Sequence, residues 1–182
     1  MARVRDPGGK RAALLAAGMR LAGAGLQGMS INAITAEAGV AKGTFYVHFP
    51  GRSEYLLALH QQFHERSLEC MRDAITHEAP GYAALLAGAL AYLDGCLAER
   101  ALKALLLEAR IEPLIQAEIA ARNETNAAVT EPHFVAMGWR EPGVCARLFV
   151  ALVAEAALLE LPSGTPDPRV RRAVAEFLER PA

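Results

Sequence analysis

The residues best placed to do chemistry in this sequence lie in one short segment, Lys42 to Phe49. At 100° per residue, Phe45 and Phe49 share one helix face, and Gly43 and Val47 lie almost opposite them. Such a helix would anchor itself with two phenylalanines and expose a small, neutral face bordered by groups that can bind phosphate. This face suits the major groove of DNA, because a helix must approach the base edges closely there while cationic and hydroxyl groups hold the backbone.

We predict that eight residues in and around this segment contact DNA. The apolar Val47 is expected to read a thymine methyl group, whereas Lys42 and Arg52 are expected to hold phosphates. Tyr46 and His48 are expected to contact phosphates as well. The full predicted set is Ser30, Lys42, Gly43, Thr44, Tyr46, Val47, His48 and Arg52.

Two short helices joined by a tight turn must position this segment. Ser30 is a good N-cap for the first helix, and Ile31 and Ile34 give that helix an apolar stripe at helical spacing. Gly39 follows where the chain leaves the helix, because glycine enters the left-handed region without a Cβ penalty. The second helix is predicted over roughly residues 41–49.

The run AGVAKGTFYVHFPGRSEYLLAL, residues 38–59, resembles the helix-turn-helix signature of TetR-type transcriptional regulators. Arg52 stands where that signature usually has a lysine. The departures are Ala41, where a serine commonly caps the second helix, Val47, where a polar base reader often stands, and the turn at residues 51–53. The matching residues are Gly39, Val40, Lys42, Gly43, Thr44, Tyr46, His48 and Phe49.

The resemblance implies an all-α protein of about nine helices. An N-terminal three-helix helix-turn-helix DNA-binding domain would be joined by a long fourth helix to a C-terminal helical domain for ligand binding and dimerisation. The implied function is that of a cytoplasmic homodimeric regulator, a repressor that a small apolar or amphipathic effector releases from its double-stranded DNA operator. We therefore divide the chain into a flexible basic arm at residues 1–9, the DNA-binding domain at residues 10–53 and the effector and dimerisation domain at residues 54–182.

Composition and charge distribution favour the same organisation. Apolar residues make up 53% of the chain and aromatic residues only 6%, which favours helices packed through alanine and leucine. The net charge is only −1, but residues 1–53 carry seven Lys and Arg against two acidic residues, whereas the remainder carries 12 against 18. This concentration of positive charge would attract phosphate to the N-terminal third.

The effector site is predicted among aromatic and apolar residues of the long fourth helix and the helices after it. His60 and His64 have the i, i+4 spacing of a metal pair, but the sequence offers no third ligand, so we expect ordinary, partly exposed histidines and no metal. Most members of the predicted set could equally be core residues. The set is Phe63, His64, Tyr82, Tyr92, Leu106, Phe134 and Phe149.

The last two predicted helices, near residues 143–161 and 167–180, carry more apolar surface than one helix face. Such a surface must be buried inside the monomer or against a second copy, and TetR-type regulators pair their last two helices across the dimer. An ordinary core role is the alternative. The residues predicted to face the partner are Phe149, Leu152, Val153, Ala156, Val170, Val174 and Phe177.

Other functional classes have weaker support. The sequence has no catalytic, P-loop or metalloprotease motif, so we predict a protein that is not an enzyme and needs no cofactor. Three cysteines without a C-x-x-C pair indicate reduced thiols in the cytosol, and no apolar run reaches the roughly 18 residues of a membrane span. The alternative function is a helical small-molecule-binding protein or enzyme that does not bind DNA.

Overall fold

The computed structural model describes residues 7–179, apart from the side chain of Pro7. Within those residues the chain has no β-strand and forms nine α-helices of seven residues or more, which confirms the all-α prediction. The helices are α1 Pro7–Leu21, α2 Ile31–Glu37, α3 Lys42–His48, α4 Arg52–Ile75, α5 Tyr82–Ala98, α6 Arg100–Glu108, α7 Pro113–Ala136, α8 Pro142–Glu160 and α9 Pro168–Leu178.

The predicted flexible arm at residues 1–9 lies mostly outside the described residues. Its last three positions are helical, because α1 already begins at Pro7. Proline is favoured in the first turn of a helix, where its missing N–H has no intrahelical partner to lose. The arm prediction was therefore wrong for residues 7–9.

The chain divides into two compact units. The described part of the first unit comprises residues 7–63 and Ala101–Gln116, and that of the second comprises His64–Arg100 and residues 117–179. Residues 101–116 thus belong to the same compact unit as the helix-turn-helix segment, whereas the predicted functional domains stay a prediction. Helix α4 supplies residues to both units.

Two carboxylates hold residues 101–116 in the first unit. Glu108 Oε2 accepts a hydrogen bond from the backbone N–H of Leu26 at 2.8 Å, in the turn that follows α1. Glu112 Oε2 accepts one from the hydroxyl of Ser53 at 2.9 Å, at the start of α4. These partners are 82 and 59 residues apart in sequence, so local pattern gives no sign of them.

A hydrogen bond from a buried tyrosine hydroxyl fixes α4 against α1 in the core of the first unit. The ring of Tyr55 is fully buried, and its hydroxyl donates to the carbonyl of Leu14 at 2.7 Å. Burial raises the pKa of the Tyr55 hydroxyl, so this group stays a neutral donor. Gly18 allows the close approach, since a Cβ on it would lie 2.2 Å from the Tyr55 oxygen.

An aromatic cluster forms the core of the second unit. Phe134 packs edge-to-face on Trp139 and Phe149, with ring centroids 5.3 and 5.8 Å apart, and Phe177 stacks on the same two neighbours at 6.0 Å. The α7 backbone remains helical through Pro132. At the start of α5, the N–H of Gly81 donates to Nδ1 of His133 at 3.1 Å, and burial lowers the pKa of that imidazole.

Most residues predicted to face a dimer partner are instead core residues of the monomer. Phe149 and Val174 are 3% and 1% exposed, and Phe177 is half-buried in the aromatic cluster. The apolar surface of α8 is wider than one face, so sequence periodicity did not separate the inward side from the outward side. Of the remaining members, Val153 and Ala156 are buried, and Leu152 and Val170 are half-buried.

Helix α8 also corrects the prediction about membrane spans. Within residues 7–179 it is the one single helix long and apolar enough to cross a membrane by length and composition alone, and 28% of the tested stretch is buried. This helix carries three charged residues, Arg147, Glu155 and Glu160, and it packs against α5 and α9.

Candidate nucleic-acid interface

Two capped helices separated by a glycine turn present the candidate interface. Ser30 has extended backbone angles, and its Oγ accepts a hydrogen bond from the N–H of Ala33 at 3.1 Å, so it caps α2 as predicted. Gly39 has a φ of +66°, the left-handed conformation that the turn requires and that glycine adopts readily. Ala41 is then extended, with φ −67° and ψ 147°, and α3 begins at Lys42.

Two phenylalanines anchor α3 in the first unit. Phe45 is completely buried and Phe49 is 3% exposed, with ring centroids 5.5 Å apart. Tyr55 lies against both rings, at 5.4 Å from Phe45 and 5.1 Å from Phe49. The predicted anchoring face of the helix is therefore confirmed, and α3 is fixed by packing, because a seven-residue helix is not stable alone.

The opposite face of α3 is open to solvent. Val47 is 78% exposed and Tyr46 is 51% exposed, and Lys42 and Gly43 are exposed beside them. Apart from the chain neighbours and backbone of its own helix, no atom would come within 4 Å of a Cβ at Gly43, so the backbone there can approach a partner closely. Thr44 and His48 are half-buried at the two edges of this face. The predicted burial pattern is confirmed, whereas contact with DNA stays a prediction.

The N-cap of α3 is incomplete, as the substitution of alanine for the usual serine predicts. Ala41 makes no side-chain hydrogen bond to the helix. Replacement of Ala41 with serine should supply an acceptor for a free N–H of the first turn and raise the free energy of unfolding by about 1 kcal/mol. Urea unfolding measures this change. Ala36→Ser, at an exposed position in the last turn of α2, should be neutral or slightly destabilising, and an equal gain at both positions would contradict the capping explanation.

Two basic residues of the first unit are bound within it. Arg20 forms an ion pair with Glu37 and also donates to its carbonyl oxygen, which ties α1 to the end of α2. The guanidinium of Arg52 donates to the carbonyl of Leu26. Arg52 and Glu108 therefore bind the same residue, because the backbone N–H of Leu26 donates to Glu108. The Arg52 side chain is half-exposed.

The structure does not gather the predicted effector residues in one unit. Phe63 and Leu106 belong to the first unit, and the other five belong to the second. Tyr82 and Tyr92 are half-buried, and the remaining members are buried. A groove of about 430 Å³ in the second unit contains none of the predicted residues. It is lined by Glu124, Ala127, Ala128, Glu131, Glu141, Pro142, Gly143, Val144 and Arg147.

The two histidines of α4 are more buried than predicted. His60 is 3% exposed and His64 is 9% exposed, so the expectation of partly exposed histidines was wrong. Both positions fall on the inward stripe of α4, where the i, i+4 spacing reflects helix packing. Within residues 7–179, no group of three or more His, Cys, Asp or Glu side chains could hold a metal ion.

The helix-turn-helix domain matches a known family. The family profile described as "Bacterial regulatory proteins, tetR family" matches residues 14–59, which include α2, the turn, α3 and the start of α4. Residues 14–59 therefore form a helix-turn-helix domain of the TetR family type. The family's DNA-binding domain thus coincides with the segment whose exposed and anchored faces are described above.

Several solved structures share the fold of this chain over most of its length. A transcriptional regulator from Rhodococcus sp. Rha1 is 21% identical, with a TM-score of 0.76 over 96% of this chain and 94% of that chain. The multidrug binding protein EbrR, complexed with imidazole, is 22% identical, with a TM-score of 0.73 over 95% and 97%. The TetR-like regulator LfrR from Mycobacterium smegmatis, in complex with proflavine, is 25% identical, with a TM-score of 0.65 over 94% of both chains. No curated protein sequence matches the chain closely enough to count as a relative.

Proposed function

We propose that this DNA-binding regulator is a cytoplasmic homodimeric repressor that a small effector releases from its operator. The observation that carries the proposal is the division of α3 into a fully buried aromatic face and an exposed face of small and polar residues. A helix fixed in this way can enter the major groove without loss of its own packing, and an enzyme or carrier has no need of such a face.

The proposed contacts on DNA follow from exposure. Gly43 and Val47 lie closest to the base edges, and Val47 contacts a thymine methyl group. Lys42 reaches phosphate from the start of α3, and Tyr46 borders the same face. Arg52 is assigned instead to the Leu26 carbonyl, because its guanidinium is engaged there. The other proposed contacts are Ser30, Thr44 and His48.

The homodimer is proposed to form through the outward stripe of α8. Val144, Leu148 and Leu159 are 55–61% exposed on this helix. Their spacings of 4 and 11 residues place them on one side of α8, with the exposed Ala151 and Glu155 between them. Two-fold pairing buries such a stripe against its own copy and sets the two copies of α3, the proposed recognition helix at Lys42–His48, at a fixed spacing.

Substitution of Leu148 by glutamate tests this interface. The added charge would be buried against the partner without a counter-charge, so we expect the dimer to dissociate to monomers at micromolar concentration. Sedimentation velocity measures the change. Ile111→Glu is the matched control, since Ile111 is 75% exposed and lies in the first unit. A dimeric Leu148→Glu protein would place the interface elsewhere.

The effector is proposed to be a small apolar or amphipathic molecule. The support is the aromatic and aliphatic character of the helical C-terminal domain and the fold shared with EbrR and LfrR, whose structures hold imidazole and proflavine. An effector releases DNA only if it binds more tightly to the shape of the protein that does not fit the operator.

Selection of DNA by the purified protein tests the proposed function. A pool of random duplexes should yield an enriched, two-fold symmetric sequence, and binding to that sequence should weaken steeply as salt rises. A helical carrier or enzyme without DNA binding would enrich no sequence. Binding of equal strength to all duplexes would contradict a specific regulator.

A further inference from the structure

Arg11 occupies a position that its place in the sequence does not reveal. It lies in the second turn of α1, it is exposed, and its Cζ atom stands 5.4 Å from the centroid of the Phe49 ring. Phe49 directly follows α3, and its ring is held by Phe45 and Tyr55. The contact therefore places a guanidinium beside the C-terminal end of α3.

The guanidinium of Arg11 has no carboxylate partner among the residues that the structure describes. Arg20 is paired with Glu37, and Arg52 is bound to the Leu26 carbonyl. Among residues 7–179, no ion pair is formed by Arg11, and the first turn of α1 contains no acidic residue. A cation–π contact with Phe49 uses none of the N–H donors of the guanidinium, so they stay available to bind phosphate.

The length of α3 places two cations at its opposite ends. The helix has seven residues, so it is about 10 Å long at 1.5 Å per residue. The major groove is about 12 Å wide. Lys42 is the first residue of α3, and Arg11 stands at Phe49, immediately after its last residue. The two cations therefore lie at opposite ends of a helix whose length is comparable with the width of the groove.

We propose that Arg11 binds a DNA phosphate and, with Lys42, brackets the recognition helix between the two backbones. The proposal rests on the proposed DNA-binding function and adds a contact from α1 to the interface. Phe49 then anchors α3 through its buried ring and also orients the arginine that fixes the helix in the groove. The rival explanation is that Arg11 only packs α1 against Phe49 through a cation–π contact and does not bind DNA.

The experiment compares Arg11→Gln, Arg11→Lys and Arg72→Gln on the duplex enriched by selection and on an unrelated duplex. Arg72 is exposed on α4 in the second unit, so its substitution removes the same charge away from the proposed interface. We expect Arg11→Gln to weaken binding to both duplexes about tenfold, the size of one charge-assisted contact, and to reduce the slope of log K against log salt by about one. Arg11→Lys should keep the wild-type salt slope.

The outcomes separate the contact from the proposed function. Failure of the wild-type protein to bind either duplex would remove the DNA-binding function itself, and the Arg11 contact with it. Wild-type binding with an unchanged slope for Arg11→Gln would overturn the phosphate contact alone. A weakened Arg11→Gln protein with an unchanged slope and a lower unfolding midpoint would mean that Arg11 only packs against Phe49. That result would also overturn the proposal.

Discussion

Replacement of Phe45 with alanine is expected to lower the free energy of unfolding of the first unit by about 3–5 kcal/mol. Phe45 is completely buried, and its ring contacts Phe49 and Tyr55, so its removal leaves a cavity beneath the recognition helix. A loss of this size is a large part of the stability of a small domain. The variant should therefore lose DNA binding together with its fold.

Urea unfolding, followed by circular dichroism, measures the effect of Phe45→Ala. Tyr46→Ala is the matched control, because Tyr46 is the neighbouring aromatic residue and is 51% exposed. Its truncation should change stability by less than about 0.5 kcal/mol, as is usual for surface positions. Equal destabilisation by the two substitutions would mean that Phe45 does not anchor α3.

Replacement of Gly43 with glutamate is expected to abolish DNA binding while the fold is retained. A side chain at Gly43 meets no other residue within 4 Å, and glutamate is a better helix former than glycine and suits the start of a helix. In the groove, however, the carboxylate would stand between two phosphate backbones. Like charges in contact cost several kcal/mol, so affinity should fall by at least about 100-fold.

Fluorescence anisotropy with the selected duplex measures the effect of Gly43→Glu, and a thermal melt checks the fold. Gly95→Glu provides the control, since Gly95 is also a helical glycine with open space at its Cβ, and it lies in α5 of the second unit. That variant should bind DNA like the wild-type protein. Wild-type affinity in a folded Gly43→Glu protein would show that this face of α3 does not enter the groove.

The recognition helix is the part of the site that the sequence predicted best. The spacing of Phe45 and Phe49 alone indicated the buried face, and the exposure of Val47 followed from it. The turn was predicted equally well, because Ser30 caps a helix that begins at the next residue and Gly39 adopts the left-handed conformation itself. Local chemistry decides such features, so no knowledge of the rest of the fold is needed.

The C-terminal helices show why other features were missed. In α8, both Phe149 and Leu148 are apolar, yet Phe149 is 3% exposed and Leu148 is 56% exposed. An alanine- and leucine-rich helix has apolar residues on every side, so only the positions of its neighbours decide which side is core. The predicted dimer set therefore selected mainly the side that packs inside the monomer.

Contacts between residues distant in sequence account for the remaining differences. Arg52 was predicted to hold phosphate, and the structure adds a hydrogen bond from its guanidinium to the carbonyl of Leu26, 26 residues away. Residues 101–116 join the first unit through contacts such as that of Glu108 with Leu26. Arg11 was visible only as one of seven basic residues of the N-terminal third, because its stack on Phe49 requires the folded α1 and α3.

Photo-crosslinking from position 47 tests most directly whether the exposed face of α3 contacts DNA. A benzoylphenylalanine replaces Val47 in one protein and Ile111 in the control protein. The two positions are similarly exposed, at 78% for Val47 and 75% for Ile111, and they lie in the same compact unit. We expect irradiation with the selected duplex to attach DNA to the protein labelled at position 47 and not to the protein labelled at position 111. Equal attachment at the two positions, or none at position 47 under conditions where the duplex is bound, would contradict the account.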